Sequence, residues 1–568
     1  MAHAVGSYQY SSLPAEKFIR LLEICPGQAN DTVHCTLCQV ELENAPKYEA
    51  ISYAWGNPAS RIDVLCDGKI ITVTQNLKDA LLRLRLKDKS RIVWADAICI
   101  NQSDEVEKGS QVKLMNGIYA KATRVCAWLG CTTIQMEPAF ELIHDMVIYA
   151  NSTSTLDRTE LPDPASECWA ALDIFFSAAW FSRLWIVQEV YGHPCMVFCG
   201  DHTIPWKDVV LVARLLLDLS FDGPSSAYPL PANTLSVLQI DSAGNATSSS
   251  DVFDTFRHFH CSEQRDKVYA LLSFPPLCEV RPPIQPDYSK PVAEVFEEAA
   301  VRIFLFYQNL GLLSSLEHDS EIDEDWPSWV PRWDRKRTTQ VLHMYASGRT
   351  TSPLPVMNHR PSILTVKGVR ISILSWCGMV IREDPNDKSE TDLINIPLQE
   401  WLSKYPPRIT HPTDPFLLYI AMSLTVGLDF KSNCPPVDLS QFRLDFLAYI
   451  AGISPSLHML DTTHDLSQTL VEQARAGNSS NYYIAAIRGC SNKRFFCTQN
   501  GDFGIGPRAA QVGDHVVLLY GSNAPCVLRP KGSYYQFVGE CYLHQHMRGE
   551  AIEMVTRGLS VVEEFELR

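Results

Sequence analysis

The chain has 568 residues, a formal net charge of −16 and a sequence pI near 5.5. Its 46% apolar and 20% charged residues are typical of globular domains with large cores, and the length suggests about three or four of them. The negative charge argues against broad binding to nucleic acid or anionic membranes. The N-terminus lacks a signal-peptide pattern, and no apolar run reaches the roughly 18 residues of a membrane span. We therefore expect a cytoplasmic protein with reduced cysteines.

Strand-like and helix-like segments alternate in the N-terminal part of the chain. Residues 48–56 predict a short strand that ends in the turn Trp55-Gly56-Asn57-Pro58. Residues 69–85 predict a strand and then a helix with Thr74 as its N-cap. Further strands are predicted at 91–100, 123–130 and 194–200, and helices at 104–122, 165–177, 182–191 and 206–219. Strands separated by helices predict right-handed crossovers and a mainly parallel sheet.

The later part of the chain changes character. Residues 220–250 are rich in Ser, Pro, Gly and Asn and predict an exposed loop, whereas 265–274 and 291–307 predict helices. Three tryptophans and two prolines in 321–334 favour an irregular packed strap. Two strands are predicted at 362–381 and several more within 494–568, and between them helices are predicted near 392–405, 413–427, 440–453 and 465–490. We divide the chain into 1–275, a connector at 276–361, and a β-rich domain at 362–568 with a helical insertion at 392–490.

Searches for common catalytic and metal-binding motifs give little. The chain contains no P-loop and no Gly-x-Ser-x-Gly nucleophile motif. Cys35-x-x-Cys38 has no second pair at zinc spacing, and His544 and His546 have no acidic or thiol partner nearby in sequence. No metal site is therefore predicted.

Three sequence blocks resemble the signature blocks of the fungal heterokaryon incompatibility (HET) domain. They read "YEAISYAWGNP", "WADAICINQSDEVEKGSQVKLMNGIYAKATRVCAWLG" and "FSRLWIVQEV". Downstream segments resemble full-length members of that family in the same order, namely "RDKVYALL", "PDYSKPVAEVF", "WPSWVPRWD", "GPRAAQVGDHVVLLYGSNAPCVLR" and "VGECYLHQHMRGE". The resemblance therefore covers most of the chain.

The resemblance implies a role in fungal non-self recognition and cell death. HET domains have been likened to TIR domains, which implies a TIR/flavodoxin-like, mainly parallel α/β sheet, followed here by helical segments and a small C-terminal β-rich domain. Some TIR domains cleave NAD with a glutamate in a Trp-x-x-x-Glu setting after the third strand. Trp185 and Glu189 match that spacing after the strand 123–130, with an inserted helix required in 131–180. The likeness also implies self-association, triggered by a partner signalling protein or by expression level.

The chemistry of this segment can also be argued from its residues. On a helix, Trp185 and Glu189 are i and i+4 neighbours, with Gln188 beside them. An indole next to a carboxyl raises the pKa of the acid, and one such carboxylate can stabilise or attack an oxocarbenium-like centre. NAD is then a substrate and no cofactor is predicted. The residues predicted to contact it at the strand ends are Tyr53, Trp55, Gly56, Asp96, Asn101, Gln102, Arg183 and Trp185.

Each of these residues also has a structural interpretation. Trp185 can be a core residue whose neighbour Glu189 reaches water or pairs with Arg183. Asp96 and Asn101 can be turn and cap residues. The apolar face that includes Gln111, Met115 and Tyr119 is typical of helix packing, and Trp326, Trp329 and Trp333 of a structural strap.

Three hypotheses of function follow. In the first, the N-terminal domain hydrolyses NAD when it is oligomerised, with Glu189 as the catalytic residue. In the second, the same domain is a non-enzymatic module that signals by homotypic or partner contacts. In the third, the C-terminal β-rich domain is the functional part and acts as a ligand-binding or regulatory module.

Overall fold

The computed structural model describes residues 6–28, 31–57, 59–130, 136–152, 161–220, 230–319, 321–339, 342, 358–360, 362–381, 392–405, 408–454 and 460–568. The chain divides into two compact units, Met1–Val295 and Phe296–Arg568. This division falls within the stretch 276–361 that was interpreted as a connector. None of the helices in these ranges has the length and apolar character needed to cross a membrane.

The first unit is built on one mixed sheet, which has nine strands in the described part of the chain. The strands are β1 (Phe18–Ile24), β2 (His34–Glu41), β3 (Glu49–Tyr53), β4 (Arg61–Cys66), β5 (Lys69–Thr74), β6 (Arg91–Trp94), β7 (Val125–Trp128), β8 (Cys195–Cys199) and β9 (His202–Pro205). Their order is β5-β4-β2-β1-β6-β3-β7-β8-β9. At its centre, β6, β3, β7 and β8 run parallel.

The prediction of a mainly parallel sheet is corrected to a mixed sheet. Strand β1 is antiparallel to both β2 and β6, and β4 is antiparallel to β5. Consecutive strands that pair directly through a short connection are antiparallel, whereas parallel neighbours require a longer crossover. Helices do occupy the connections between the four central strands, so the alternation of strands and helices predicted the centre of the sheet and not its flank.

Helices lie between these strands and after them in the chain, and the last helix crosses the boundary at Val295 into the second unit. They are α1 (Gln75–Leu84), α2 (Asp96–Cys99), α3 (Glu105–Lys121), α4 (Glu137–Ser152), α5 (Glu167–Phe176), α6 (Ile186–Val190), α7 (Trp206–Ser220), α8 (Thr234–Asp241), α9 (Ser249–Phe256), α10 (Asp266–Tyr269) and α11 (Val292–Tyr307). The predicted N-cap of α1 is confirmed, because the Thr74 hydroxyl accepts a hydrogen bond from the Leu77 amide. The side chain of Asp104 caps α3 in the same way.

Two predicted boundaries differ from the structure. The apolar run 91–100 is a strand only to Trp94, after which the chain turns into the single-turn helix α2. The segment 220–250 was predicted as a loop, but α8 and the start of α9 lie within it, and residues 221–229 fall outside the described residues. Small and polar residues there serve as helix caps, and the Ser248 hydroxyl accepts from the Asp251 amide.

The second unit combines a second sheet with a group of helices. Its strands are β10 (Asn358–Arg360), β11 (Ile363–Val380), β12 (Lys493–Thr498), β13 (Phe503–Pro507), β14 (His515–Leu519), β15 (Cys526–Lys531), β16 (Tyr534–Glu540) and β17 (Glu563–Leu567). Its helices are α12 (Asp392–Lys404), α13 (Pro415–Leu424), α14 (Leu439–Ile453), α15 (His464–Ala474), α16 (Ser479–Cys490) and α17 (Glu550–Thr556). The segment 321–334 is irregular, and its Trp329 and Trp333 are buried.

Strand β11 organises this unit. It pairs with both β14 and β17, and the pairings β14–β15, β15–β16 and β16–β17 close these strands into a ring. Closure leaves few free strand edges, which limits unwanted pairing with other chains. The far end of β11 pairs with β12, which in turn pairs with β13. Residues 362–381, predicted as two strands, are this one 18-residue strand with register shifts near Arg370 and Leu374.

Candidate functional site

The candidate site lies where the parallel strands of the first unit end. Strand β3 ends at Tyr53, β6 at Trp94 and β7 at Trp128. Because β6 and β7 lie on opposite sides of β3, the chain changes direction across the sheet at β3. In α/β sheets, ligands bind outside the carboxyl ends of the strands at such a reversal.

Glu189 is directed at the carboxyl end of β3. It lies on α6, whose five residues are all buried and which packs against α3. Its carboxylate accepts a short hydrogen bond from the hydroxyl of Ser52, the second-to-last residue of β3. The Ser52 oxygen accepts in turn from the indole N–H of Trp180 at 2.7 Å. Glu189 is only 2% exposed, so its partners are protein groups and not bulk water.

Arg183 supplies the positive charge beside this carboxylate. Its Nη1 atom lies 3.6 Å from Glu189 Oε2. Nη1 is buried and has no hydrogen-bond partner among the described residues. The backbone on both sides of Arg183 pairs with His260, because Ser182 O accepts from the His260 amide at 2.6 Å and Leu184 N donates to His260 O at 2.8 Å. The position of Arg183 is thereby fixed from a distant part of the chain.

The surroundings of Glu189 raise the pKa of its carboxyl. Burial is the largest cause, and the charge of Asp96 adds to it. Arg183, the Ser52 hydroxyl and the Tyr119 hydroxyl lower the pKa but do not offset the burial. A buried carboxylate with a raised pKa is a stronger base than an exposed glutamate, which is the property expected of a reactive acid.

Trp185 serves a different carboxyl from the one predicted. Its indole N–H donates to Asp266 Oδ2 at 2.8 Å, and the Tyr288 hydroxyl donates to Asp266 Oδ1 at 2.7 Å. Burial raises the pKa of Asp266 to about 6. The indole that is hydrogen-bonded into the Glu189 cluster is that of Trp180, which lies outside the Trp-x-x-x-Glu spacing.

Three of the predicted contact residues, Trp55, Asp96 and Gln102, are joined by hydrogen bonds at the exposed edge of the site, which we call its mouth. Trp55 is 45% exposed, and its indole N–H donates to Asp96 Oδ2 at 2.9 Å. The Gln102 side chain donates to the backbone oxygen of Asp96 at 2.9 Å. Tyr53 is buried below them, and burial and the charge of Asp96 raise the pKa of its hydroxyl. Because Asp96 influences both Tyr53 and Glu189, the mouth and the buried cluster share one electrostatic environment.

Asn101 and Gly56 shape the loops at this edge. The Asn101 side chain accepts from the Ser103 amide at 3.2 Å, and its own amide donates to Glu107 Oε1 at 2.7 Å. These are the contacts of a turn residue, as in the structural interpretation. Gly56 follows β3 with φ of +74°, a conformation that favours glycine over residues with a Cβ.

A buried ion pair supports the loop before α3. Arg20 is 2% exposed and makes bidentate hydrogen bonds to Glu107, at 2.6 Å to Oε1 and 2.9 Å to Oε2. It also donates to the backbone oxygen of Cys99 at 3.1 Å. Asp104 and Glu107 have the spacing of a capping box, but only the Asp104 half is present, because Glu107 binds Arg20 and the Asn101 amide instead of the Asp104 amide.

Sequence reasoning missed Ser52, Trp180 and Asn76 as site residues. The Asn76 side chain donates to Ala54 O at 2.6 Å and accepts from the Trp128 indole at 2.9 Å, which joins the residue after β3 to the last residue of β7. A polar residue inside the apolar strand "AISY" was the available signal for Ser52. No trio of His, Cys, Asp or Glu side chains in the described ranges has the geometry to hold a metal ion.

Comparison with known proteins matches both units. The sequence profile of the family "Heterokaryon incompatibility protein (HET)" matches residues 48–189, a range that ends at Glu189. The profile "Het-6 beta-barrel domain" matches residues 460–558. The chain is 25% identical to "Heterokaryon incompatibility protein 6, OR allele" of Neurospora crassa, in an alignment that covers 95% of each chain. No solved structure matches the chain.

Proposed function

Because this chain is a heterokaryon incompatibility (HET) domain protein of fungi, we propose that it acts in non-self recognition and cell death after incompatible cell fusion. The relative from Neurospora crassa is named a heterokaryon incompatibility protein, and the alignment extends over nearly the whole of both chains. We place the protein in the cytoplasm, where fused cells mix their contents.

The proposed effector reaction is the hydrolysis of NAD at the carboxyl ends of the parallel strands. The bond between nicotinamide and the ribose C1 breaks, water adds to C1, and nicotinamide, ADP-ribose and a proton are released. Glu189 stabilises the oxocarbenium-like centre or attacks it, and Arg183 pairs with a phosphate. Trp55 stacks on a ring of the substrate, and Asp96 binds a ribose hydroxyl.

The observation that carries this proposal is the buried Glu189 carboxylate held by Ser52 at the end of β3. The order of the parallel strands supports it. Along the chain, β3, β6, β7 and β8 are the first, second, third and fourth of the central parallel strands. Across the sheet they lie in the order second, first, third, fourth, which is how a flavodoxin-like sheet begins. Glu189 lies between the third and fourth of these strands, as in the TIR-like arrangement.

We propose that the single chain is a resting state, because its Glu189 is buried. A carboxylate that is 2% exposed and hydrogen-bonded to Ser52 cannot meet a substrate until α6 or its neighbours move. We propose that self-association, prompted by a partner protein or by high expression, drives this movement. Binding that prefers the open conformation shifts the population toward it.

A second function is favoured by the same burial. If Glu189 is a structural residue that joins α6 to β3, the first unit is a non-enzymatic module and signals through contacts with other copies or partners. Cell death would then depend on surface residues of the first unit and would leave cellular NAD unchanged.

The test is NAD consumption by the purified full-length protein, alone and fused to a tetramerising coiled coil. Wild-type protein is expected to release nicotinamide when tetramerised. Glu189→Gln is expected to release it at least about a hundredfold more slowly, which is the usual loss of rate when a positioned catalytic group is removed. Asp145→Asn changes an exposed acid on α4 and is the matched control. Equal turnover by wild type and Glu189→Gln would remove Glu189 from the chemistry, and no turnover in any assembly would favour the interaction module.

A further inference from the structure

The second unit contains a cleft formed by its own residues. It has a volume of about 410 Å³, within the range of small-molecule sites in proteins. The described residues that line it are Trp401, Tyr405, Arg408, Phe416, Cys497, Thr498, Gly501 and Phe503. They come from α12, α13, the loop after α12, and the hairpin of β12 and β13.

The floor of this aromatic cleft is apolar and rigid. Trp401 stacks on Phe503 with ring centroids 3.9 Å apart and an angle of 24°. Phe503 is fixed by Tyr419, whose hydroxyl donates to Phe503 O at 2.6 Å. Burial raises the pKa of the Cys497 thiol to about 11, so the sulfur on the floor is uncharged at neutral pH. A floor of this kind favours a flat, uncharged ring.

The walls leave aromatic surface open to solvent. Tyr405 is 38% exposed, and Phe416 is half-buried. Tyr405 makes an edge contact with Trp376 at 6.0 Å between ring centroids. A planar ligand that covers these side chains gains both apolar burial and ring contacts.

Charge at the rim is positive. Arg408 is exposed and is the one charged side chain among the described lining residues. The ammonium group of Lys404 adds to it from just outside, 5.9 Å from the Tyr405 ring. Asp502, the acid next to Gly501, is engaged by Thr498, whose hydroxyl donates to Asp502 Oδ2 at 3.3 Å. A single guanidinium suits a carboxylate, which it binds through two parallel hydrogen bonds.

We propose that the aromatic cleft binds a planar aromatic carboxylate of one or two rings, with the ring against Tyr405 and Phe416 and the carboxylate on Arg408. The ligand would connect the second unit to a small-molecule signal. The inference does not depend on NAD hydrolysis by the first unit.

Isothermal titration of the full-length protein with 2-naphthoate tests the proposal. We expect saturable binding at one site, with 2-naphthamide and cyclohexanecarboxylate each about tenfold weaker because they lack the charge or the aromatic ring. Arg408→Gln is expected to weaken 2-naphthoate about tenfold while leaving 2-naphthamide unchanged, and Tyr405→Ala to weaken both.

Arg557→Gln is the matched control, because Arg557 is an exposed arginine on the same unit that pairs with Glu553 away from the cleft. Tyr405 and Arg408 are exposed, so both variants are expected to keep the thermal unfolding midpoint of the wild type. The proposal is overturned by no saturable binding of 2-naphthoate, by equal affinities of wild type and Arg408→Gln, or by equal binding of cyclohexanecarboxylate.

Discussion

The segment "FSRLWIVQEV" serves two buried carboxylates in opposite ways. Through Arg183 it places a positive charge beside Glu189, whereas through Trp185 it offers Asp266 only an uncharged donor. The second donor to Asp266 is the hydroxyl of Tyr288, which is also neutral. The same short stretch of chain therefore gives one buried acid a cation and the other a neutral hydrogen-bond donor, while the charge of Lys108, from α3, also lowers the pKa of Asp266.

Both carboxyls have a raised pKa, and that of Asp266 lies in a pH range where unfolding can be followed. Burial raises the pKa of Asp266 from 3.8 to about 6, and the hydrogen bonds from Tyr288 and Trp185 and the charge of Lys108 offset only part of that shift. A group whose folded pKa is raised stabilises the fold in its protonated form, and that stability is lost as pH rises through the folded pKa. Glu189 also has a raised pKa, but Arg183 opposes the shift directly.

The largest effect is expected from removing the cation. Arg183→Met leaves Glu189 buried without its ion-pair partner. Such a change lowers the free energy of unfolding by about 3–5 kcal/mol in fully buried pairs. Because Arg183 is 17% exposed, we expect a loss of about 2–4 kcal/mol here. Urea unfolding of the first unit at pH 7 measures it. Arg183→Lys, which keeps the charge, should recover part of the loss. A loss below about 1 kcal/mol would mean that Glu189 does not need the cation.

Asp266→Asn tests the carboxyl that accepts hydrogen bonds from the neutral donors Trp185 and Tyr288. Between pH 4 and pH 6.5 the wild type should lose about 2–3 kcal/mol of unfolding free energy that the variant does not lose, because each pKa unit of difference corresponds to about 1.4 kcal/mol. Urea midpoints measured across this pH range give the difference curve. The exposed Asp145→Asn should follow the wild-type curve, and a flat difference between wild type and Asp266→Asn would show that Asp266 is ionised throughout.

Ser52→Ala tests the hydrogen bond that the Ser52 hydroxyl donates to Glu189. The variant removes a hydroxyl that accepts from Trp180 and donates to Glu189, and we expect a loss of about 1–3 kcal/mol. The pKa of Glu189 should rise further, so the loss should be larger at pH 8 than at pH 5. Ser182→Ala, a half-buried serine on the neighbouring turn, is expected to cost less than about 0.5 kcal/mol. Equal losses in the two variants would contradict the special role of Ser52.

The smallest effect on stability is expected at the mouth. Trp55→Phe keeps a ring but loses the exposed hydrogen bond to Asp96, so the unfolding free energy should change by less than about 0.5 kcal/mol. If the mouth binds nucleotide, KM for NAD should rise several-fold while kcat changes less. A change in stability without any change in KM would assign Trp55 a purely structural role.

Local sequence patterns predicted the centre of the first unit because its signals are local. The helical spacing of Leu77, Ala80, Leu81 and Leu84 and the cap at Thr74 are properties of one short segment, and the structure confirms them. The flanking strands β1 and β2 were not predicted, although with seven and eight residues they are longer than the four-residue central strands β6 and β7.

The candidate site could be predicted only in part. Its position at the strand ends followed from the alternation of strands and helices, but the Ser52–Glu189 hydrogen bond joins residues 137 positions apart. Trp185 was chosen as the partner of Glu189 because the two are four residues apart, yet α6 has only five residues and Trp185 lies before it. The direction of its indole is set by Asp266, which belongs to a different segment.

The central claim, that Glu189 is a reactive carboxylate, is tested most directly in fungal cells that express wild type or Glu189→Gln at equal abundance. Cellular NAD and viability are followed together after expression is induced. We expect NAD to fall before viability in cells with wild type, and neither to fall in cells with Glu189→Gln. Equal killing by the two proteins with NAD unchanged would contradict it.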